Sequence, residues 1–287
     1  MSYRYVCTSK LGQLDVLSLS HPKFQAKISL FGAQVLSFKP TGQDDLLWLS
    51  QDAVLDGSKA IRGGCPICWP WFGPDAVSEG ADGTKTKGPQ HGYARLAHWQ
   101  LLEVKETESE VDLLLVPVLS DEIKSSLPLK LECHLSFSDT LSISLITKNL
   151  GDRPVPLSQA IHTYFAIEDI NNCQLLGLED CRFLDQLSGK MQTQNGSLTV
   201  EEHIDRIYFS NATCLKLDTP SRSIQIVNRD HDSIVVWNPW QSLAKEMADF
   251  DDMGFKRMLC VETANTQGLV LEPDQLHTLT QALSSQS

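Results

Sequence analysis

The sequence predicts an all-β protein, and three features support this. Apolar and polar residues alternate along many short segments, which is the pattern of half-buried strands. Turn-forming residues separate these segments at short intervals, and helical periodicity is scarce. Many short strands with frequent turns and few helices are typical of a sandwich or a barrel.

The alternation is clearest between residues 130 and 149. In KLECHLSF (130–137), every second residue from Leu131 to Phe137 is apolar, and the residues between them are polar or charged. TLSISLITKN (140–149) repeats the pattern after the short polar segment SDT. The two runs therefore predict a β-hairpin.

The remaining elements follow from the same pattern. A long strand-like run interrupted by Gly32, which predicts a bulge or turn, covers residues 24–40. Further short strands are predicted at residues 214–219, 223–228 and 233–239. The best helix candidate is residues 242–250, after Pro239, and the polar, glycine-rich residues 73–92 predict a long loop.

The composition narrows the class of partner. The chain has 287 residues, of which 41% are hydrophobic, and a formal net charge of −12. Nucleic-acid backbones and anionic lipids repel such a chain, so we expect neither a nucleic-acid nor a membrane partner. A small anionic ligand would need a local cluster of arginines to oppose the global charge.

We expect a single domain spanning residues 1–287, because neither a linker nor an internal repeat divides the chain. The start of the sequence lacks a basic-then-apolar signal pattern. The longest apolar stretch, near residues 113–119, is too short to cross a bilayer. These features favour a soluble, cytoplasmic protein, in which the eight cysteines are expected to be reduced.

The segment AIRGGCPICWPWFGP (60–74) combines Arg62 and two glycines with the aromatic residues of 69–72. Aromatic side chains near a polar group can form a platform for a sugar ring, but they can equally pack a rigid buried loop. Cys65 and Cys68 form a lone CxxC, which is a weak zinc signal because a structural site needs four ligands. Packed, reduced cysteines are the favoured interpretation.

Three further segments carry polar groups suited to catalysis. Gln90, His91 and Arg95 lie in QHGYARLAHW (90–99), and together with Arg62 they suggest an anion pocket. His162 lies in QAIHTYF, where an isolated histidine is more often structural. Glu262 ends a buried apolar run in MLCVETAN; a carboxyl group there either finds a partner or has a raised pKa suited to general base catalysis.

Taken jointly, these motifs resemble the hexose-6-phosphate mutarotases (glucose-6-phosphate 1-epimerases), a branch of the aldose 1-epimerase superfamily. The match follows the order and spacing of IRGGCPICWPWFGP, QHGYARLAHW, LSQAIHTYF, IDRIYF, VVWNPW and CVETAN, and covers about residues 20–280. The resemblance implies a β-supersandwich with two large antiparallel sheets. It also implies a small phosphosugar substrate, no metal or cofactor, and a monomer.

The resemblance assigns roles to individual residues. It implies that His162 and Glu262 are catalytic, and that the substrate is bound by Arg62, Gln90, Arg95 and Asp205, with His91 as a weaker candidate. Glu262 is expected to take the proton of O1–H while protonated His162 donates to the ring oxygen O5, on opposite sides of the O1–C1–O5 unit. Arg62 and Arg95 are expected to hold the 6-phosphate.

Three alternatives remain open from the sequence. The protein could be an aldose 1-epimerase for free sugars, although the arginines favour a phosphorylated substrate. It could be a carbohydrate-binding protein without catalysis, because one fold supports many functions. A zinc protein would depend on the CxxC element alone.

Overall fold

The computed structural model describes residues 3–74, 78–79, 85–86 and 88–286. The prediction of an all-β fold is confirmed, since strands dominate these residues and α-helix is confined to two short segments. The first eleven strands are β1 (Val6–Leu11), β2 (Leu14–His21), β3 (Phe24–Ser29), β4 (Val35–Pro40), β5 (Ile67–Cys68), β6 (Ser78–Glu79), β7 (Lys85–Thr86), β8 (His98–Glu106), β9 (Val111–Val118), β10 (Leu129–Phe137) and β11 (Leu141–Asn149).

The second half of the chain adds eleven more strands. They are β12 (Val155–Ile161), β13 (Tyr164–Ala166), β14 (Gln174–Leu176), β15 (Arg182–Asp185), β16 (Lys190–Thr193), β17 (Ile204–Tyr208), β18 (Cys214–Asp218), β19 (Ser223–Arg229), β20 (Ser233–Asn238), β21 (Met258–Leu271) and β22 (Leu276–Gln286). The two α-helices are α1 (Asp121–Ser126) and α2 (Trp240–Glu246), and short 3-10 turns cover Ala94–Leu96, Ile170–Asn172 and Gly254–Arg257.

Two eight-stranded antiparallel sheets form the sandwich. The first sheet has the order β14-β18-β19-β22-β11-β10-β9-β8. The second has the order β16-β15-β17-β20-β21-β12-β5, with β13 also paired to β21. Strands β1–β4 form a separate four-stranded sheet, and β6 pairs with β7.

The predicted hairpin at residues 130–149 is formed by β10 and β11. Phe137 lies opposite Leu141 across the turn, and every second residue of each strand is buried. These side chains belong to one large apolar cluster that also contains Ile161, Phe165 and Val261 of the second sheet. Burial of this shared layer, worth about 25 cal/mol per Å² of apolar surface, holds the two sheets face to face.

Three element boundaries differ from the predictions. The run at residues 24–40 forms two strands, β3 and β4, joined by a turn in which Gly32 has φ +81°. The predicted helix at 242–250 begins earlier, at Trp240, whose N–H is accepted by the Asn238 side chain at 2.8 Å, and it ends at Glu246. The sequence analysis missed α1, which is capped by the Ser120 hydroxyl.

The predicted loop at residues 73–92 contains the short β6–β7 pair. The rest of that prediction, at 75–77, 80–84 and 87, lies outside the described residues. Among the helices of the described part of the chain, none combines the length and apolar character that crossing a membrane requires.

Candidate active site

One cavity of about 420 Å³ brings together every residue that the sequence predicts for the site. A cavity of this size is in the range of small-molecule sites. The predicted residues that line it are Arg62, Gln90, His91, Arg95, His162, Asp205 and Glu262.

The strand register explains why His162 and Glu262 meet. Ile161 of β12 pairs with Thr263 of β21, and Tyr164 of β13 pairs with Cys260 in the same register. His162 therefore lies opposite Glu262 between these two pairs. Side chains at opposite positions of an antiparallel ladder lie on the same face, so both groups enter the cavity together.

The two catalytic candidates are in direct contact. His162 Nε2 lies 3.3 Å from Glu262 Oε1, and the two side chains are only 11% and 2% exposed. The sequence analysis expected them on opposite sides of the O1–C1–O5 unit, and the strand register places the two side chains next to each other on one sheet face. Since O1 and O5 are bonded to the same carbon, neighbouring groups can still each reach one oxygen.

Burial sets the proton state of this pair. It raises the pKa of Glu262 well above 4.5, and the charge of Asp205 adds to the effect while Arg95 opposes it. Burial also lowers the pKa of His162 well below 6.5, and His91, Arg95 and Arg62 contribute in the same direction. Both shifts favour the neutral forms, and the 3.3 Å contact allows one proton to be shared between Nε2 and Oε1.

Neighbouring aromatic rings fix the His162 imidazole. Its ring stacks on Tyr164, with centroids 4.9 Å apart, and contacts the Trp237 ring edge-on at 6.3 Å. The His162 backbone N–H donates to the Pro66 carbonyl at 2.9 Å. The imidazole can therefore exchange a proton without first reorienting.

A second row of side chains lies one pleat away on the same sheet face. Asp205 of β17 pairs with Trp237 of β20, which pairs with Cys260 of β21. Gln186 Nε2 donates to Asp205 Oδ1 at 2.5 Å, and both residues line the cavity. Burial raises the pKa of Asp205, although the Gln186 hydrogen bond opposes this. This row presents acceptor and donor groups suited to sugar hydroxyls.

The Gln34 side chain fixes the loop that carries Arg62. The buried Gln34 side chain donates from Nε2 to the carbonyls of both neighbours of Arg62, Ile61 at 3.1 Å and Gly63 at 2.6 Å. The register of this loop is therefore fixed at the point where the guanidinium leaves the backbone.

The guanidinium of Arg62 also has partners at its tip. It donates to Tyr164 Oη at 3.1 Å and lies 3.4 Å from Asp249 Oδ1. Lys59 Nζ lies 3.4 Å from the other Asp249 oxygen. One carboxylate thus faces two cations, which leaves positive charge on this side of the cavity.

A tight turn at Gly92 places Arg95, the second arginine of the cavity. Gly92 has φ +75°, and a Cβ there would lie 2.0 Å from the Trp69 carbonyl oxygen, so only glycine fits. Arg95 donates from Nη2 to the Gln90 carbonyl at 2.7 Å. His91 Nδ1 accepts from the Gly73 N–H at 3.1 Å, and burial, with the field of Arg95 and Arg62, lowers its pKa to about 3. Both features favour the neutral form of the His91 imidazole.

Four buried polar atoms on cavity-lining side chains have no hydrogen-bond partner within the described part of the chain. They are Arg62 Nε, Arg95 Nε, His162 Nδ1 and Glu262 Oε2. Each unpaired buried group costs about 1–3 kcal/mol. Their clustering at one cavity indicates that a polar ligand completes the site.

Of the aromatic residues at 69–72, some pack inside the protein and one lines the cavity. Trp69 is fully buried and donates from Nε1 to Thr147 Oγ1 at 3.0 Å, so it cannot stack on a ligand. Trp71 packs edge-on against Tyr93, and only Phe72 of the three lines the cavity. The aromatic face that sequence reasoning missed is Trp237, contributed by a different strand.

Other cavity groups were also missed. Tyr164 follows His162 by two residues on the same strand face, so period two could have identified it. Gln186, Lys59 and Asp249 belong to segments with no recognisable motif. Cys65 and Cys68 are buried, and burial raises the pKa of the Cys65 thiol to about 12. Within the described residues they join no group of three side chains that could hold a metal.

Replacing Glu262 with Gln should stabilise the fold at alkaline pH. The raised pKa means that the folded state holds this proton more tightly than the unfolded state, so wild-type stability falls as the pH rises from about 4.5 through the folded-state pKa. Glu262→Gln removes that loss. Urea unfolding at pH 5 and pH 9 should show the variant gaining on wild type, whereas the exposed control Glu272→Gln should not. An equal difference at both pH values would contradict the pKa direction.

The fold and the cavity together define a class of protein. An antiparallel sandwich holds a buried carboxyl–imidazole pair at the floor of a small polar cavity, with cations on one side. A pair that shares one proton is suited to general acid–base catalysis on a small polar substrate.

Comparison with known proteins identifies the family. The sequence profile of the family described as aldose 1-epimerase matches residues 15–284. A protein of Escherichia coli (strain K12) named "Putative glucose-6-phosphate 1-epimerase" is 35% identical over 261 residues, covering 89% of this chain and 84% of the relative. A protein of the same name from Cenchrus ciliaris is 34% identical over 267 residues, with coverages of 87% and 78%.

Comparison with solved structures leads to the same family. The crystal structure of a "putative mutarotase" from Salmonella typhimurium has a TM-score of 0.89 at 30% identity, covering 99% of this chain and 95% of that one. The chain belongs to the aldose 1-epimerase family, and it is an epimerase.

Proposed function

We propose that the protein interconverts the α and β anomers of hexose 6-phosphates, chiefly glucose 6-phosphate. The observation that carries this proposal is the contact between His162 and Glu262 in a cavity that also contains Arg62 and Arg95. The names of the relatives that are about 35% identical support the same substrate.

The reaction needs two coupled proton transfers and no net change in composition. The O1 hydroxyl loses its proton while the ring oxygen O5 gains one, and the C1–O5 bond breaks to give the open-chain aldehyde. Rotation about C1–C2 exposes the other face of the carbonyl. Reclosure returns the proton from O5 and restores the O1 hydroxyl, now as the other anomer.

Glu262 and His162 supply the two groups. With the shared proton on His162, ionised Glu262 removes the proton from O1–H and the imidazolium protonates O5. The two side chains exchange roles when the ring closes. Each positioned proton transfer contributes about 10²–10⁴-fold to the rate. Because closure reverses both transfers, it restores ionised Glu262 and protonated His162, so each turnover starts from the same state.

The cationic side of the cavity is suited to the phosphate. A smaller adjoining cavity of about 240 Å³ shares Arg62, Gln90, Arg95 and Tyr164 with the main one. Lys59 lines only this smaller cavity. A phosphate here would face three cations and the single carboxylate of Asp249, which opposes the global charge of −12. Binding energy from the phosphate would also hold the ring over the acid–base pair.

The test is anomer exchange measured by NMR on wild-type protein with a panel of sugars. We expect acceleration for glucose, galactose and mannose 6-phosphates and much less for the three unphosphorylated sugars at equal concentration. Equal or greater acceleration of the free sugars would overturn the phosphate assignment and support an aldose 1-epimerase for free sugars. Sugar binding with no acceleration of any of them would overturn the catalytic assignment.

Phosphate binding should also change the proton state of His162. Arg62 and Arg95 contribute to the lowered pKa of His162, and a bound anion would cancel part of their field. Inorganic phosphate should therefore raise the pKa of His162 in wild-type protein, as followed by ¹⁵N NMR of the imidazole. The Arg62→Ala/Arg95→Ala double variant is the matched control and should show no phosphate effect. A wild-type titration unchanged at saturating phosphate would contradict the proposed position of the anion.

A further inference from the structure

A buried glutamine lies behind the catalytic pair, on the opposite side of the sheet from the cavity. Gln281 belongs to β22 of the first sheet, and its side chain is fully buried between the two sheets. It is outside both cavities that we assign to substrate. Neither the motif analysis nor the proposed reaction gives it a role.

Gln281 is hydrogen-bonded to the residue that follows His162 and to both neighbours of Glu262. Its Oε1 accepts from the hydroxyl of Thr163, the residue after His162. Its Nε2 donates to the Val261 carbonyl at 3.1 Å and to Thr263 Oγ1 at 2.8 Å. Val261 and Thr263 are the two neighbours of Glu262. One side chain thus ties the strand that carries His162 to the strand that carries Glu262.

Both N–H groups and the carbonyl oxygen of the Gln281 amide are hydrogen-bonded in this way. Both N–H bonds point to β21, and the carbonyl oxygen points to Thr163. The Thr263 hydroxyl in turn donates to Asn228 Oδ1 at 2.5 Å, which extends the hydrogen-bond network. All four side chains are fully buried, so water is excluded and the bonds are strengthened by their surroundings.

The Gln281 hydrogen bonds lie where the pairing of β21 with β12 and β13 is interrupted. β12 ends at Ile161 and β13 begins at Tyr164, so His162 and Thr163 lie between two ladder segments. One backbone bond crosses this gap, from Val261 N–H to the Thr163 carbonyl at 3.1 Å. The Gln281 bonds add side-chain links between the two segments across this gap.

We propose that Gln281 is a positioning residue for proton transfer, holding the His162 and Glu262 strands in the separation that their side-chain contact requires. This inference rests on the proposed function, because it assumes that the pair is catalytic. Catalytic groups need placement to within about 0.5 Å, and a misplacement of about 1 Å can cost about 100-fold in rate.

The chain offers a matched control. Gln159 is also fully buried, and it lies on β12 close to His162. Its Nε2 donates to Asn265 Oδ1 at 3.1 Å, and its Oε1 accepts from Thr147 at 3.5 Å. None of these partners is adjacent in sequence to His162 or Glu262. Gln159→Met and Gln281→Met make the same change in volume and polarity, but only the second releases the pair.

The experiment compares these two variants with wild type in glucose 6-phosphate exchange kinetics. We expect Gln281→Met to lower kcat by about 10- to 100-fold with little change in KM, and Gln159→Met to keep kcat within about 2-fold at a similar loss of stability. In Gln281→Met, the ¹⁵N titration of the His162 imidazole should also move toward the ordinary value near 6.5, because the contact loosens and water enters. Equal kcat in the two variants would overturn the inference.

A second variant keeps the test decisive if Gln281→Met does not fold. Thr163→Val preserves shape and removes the bond to Gln281 Oε1, and should lower kcat by about 3- to 10-fold. Wild-type kinetics in Thr163→Val would then overturn the inference. A wild-type protein that fails to exchange anomers would count against the proposed function instead, so the two failures are distinguishable.

Discussion

Glu262→Gln should lose nearly all acceleration of anomer exchange while remaining folded. An amide cannot take the proton from O1–H, so the variant loses the contribution of a positioned base, about 10²–10⁴-fold in kcat. His162→Gln should lose a similar factor, because protonation of O5 then depends on water. Exchange NMR with glucose 6-phosphate measures the rate, and thermal unfolding checks the fold.

The two groups share one proton, so their losses should not add. The His162→Gln/Glu262→Gln double variant should be about as slow as the slower single variant, as expected for residues that act as a unit. Losses that multiply would indicate two independent roles. Rates near wild type in either single variant would contradict the acid–base assignment altogether.

Arg95→Ala should discriminate between phosphorylated and free sugars. A hydrogen bond to a charged group contributes about 1.5–3 kcal/mol, so kcat/KM for glucose 6-phosphate should fall by about 10- to 150-fold. Slow turnover of free glucose, where measurable, should change little. Exchange rates for the two sugars at several concentrations give the comparison, and an equal loss on both would contradict a phosphate-binding role.

Arg62→Ala should have a wider effect than Arg95→Ala. Arg62 contacts the Tyr164 hydroxyl, and the Tyr164 ring stacks on His162, so its loss should lower kcat as well as raise KM. Tyr164→Phe separates the two contributions, since it keeps the stacked ring and removes only the bond to Arg62. We expect Tyr164→Phe to keep phosphate selectivity. Loss of that selectivity would place the phosphate near Tyr164 rather than at the guanidinium.

Local sequence patterns account for much of the fold. Period-two alternation predicted the β10–β11 hairpin to within a residue at its boundaries, because each strand has one face in the core and one in water. The helix after Pro239 was misplaced because its start depends on the Asn238 side chain, which binds the Trp240 N–H. Helix propensity carries no information on such a cap.

The candidate site shows a sharper limit. Motifs identified His162 and Glu262 one by one, but their contact depends on the register between strands a hundred residues apart. No local pattern encodes that register, so the side-by-side arrangement could not be predicted from the motifs. Lys59 and Asp249 were missed for the same reason, since Asp249 meets Lys59 and Arg62 only in the folded chain.

The buried glutamines illustrate the remaining gap. Gln34 directly precedes β4 and Gln281 lies on β22, and both are fully buried among apolar residues, where a hydrophobic residue is the usual choice. Their amides bind backbone atoms next to Arg62 and Glu262, respectively. A polar residue at a core position could have served as the signal, because a buried amide persists only where its hydrogen bonds are satisfied.

The central claim is that one cavity holds the phosphate at its cationic side and the anomeric carbon at the acid–base pair. A crystal structure of Glu262→Gln with glucose 6-phosphate tests this most directly, because the variant should bind the sugar without turning it over. We predict O1 and O5 within hydrogen-bond distance of Gln at position 262 and of His162, and the phosphate against Arg62 and Arg95. A sugar bound with its anomeric carbon away from this pair, or with its phosphate away from both arginines, would contradict the account.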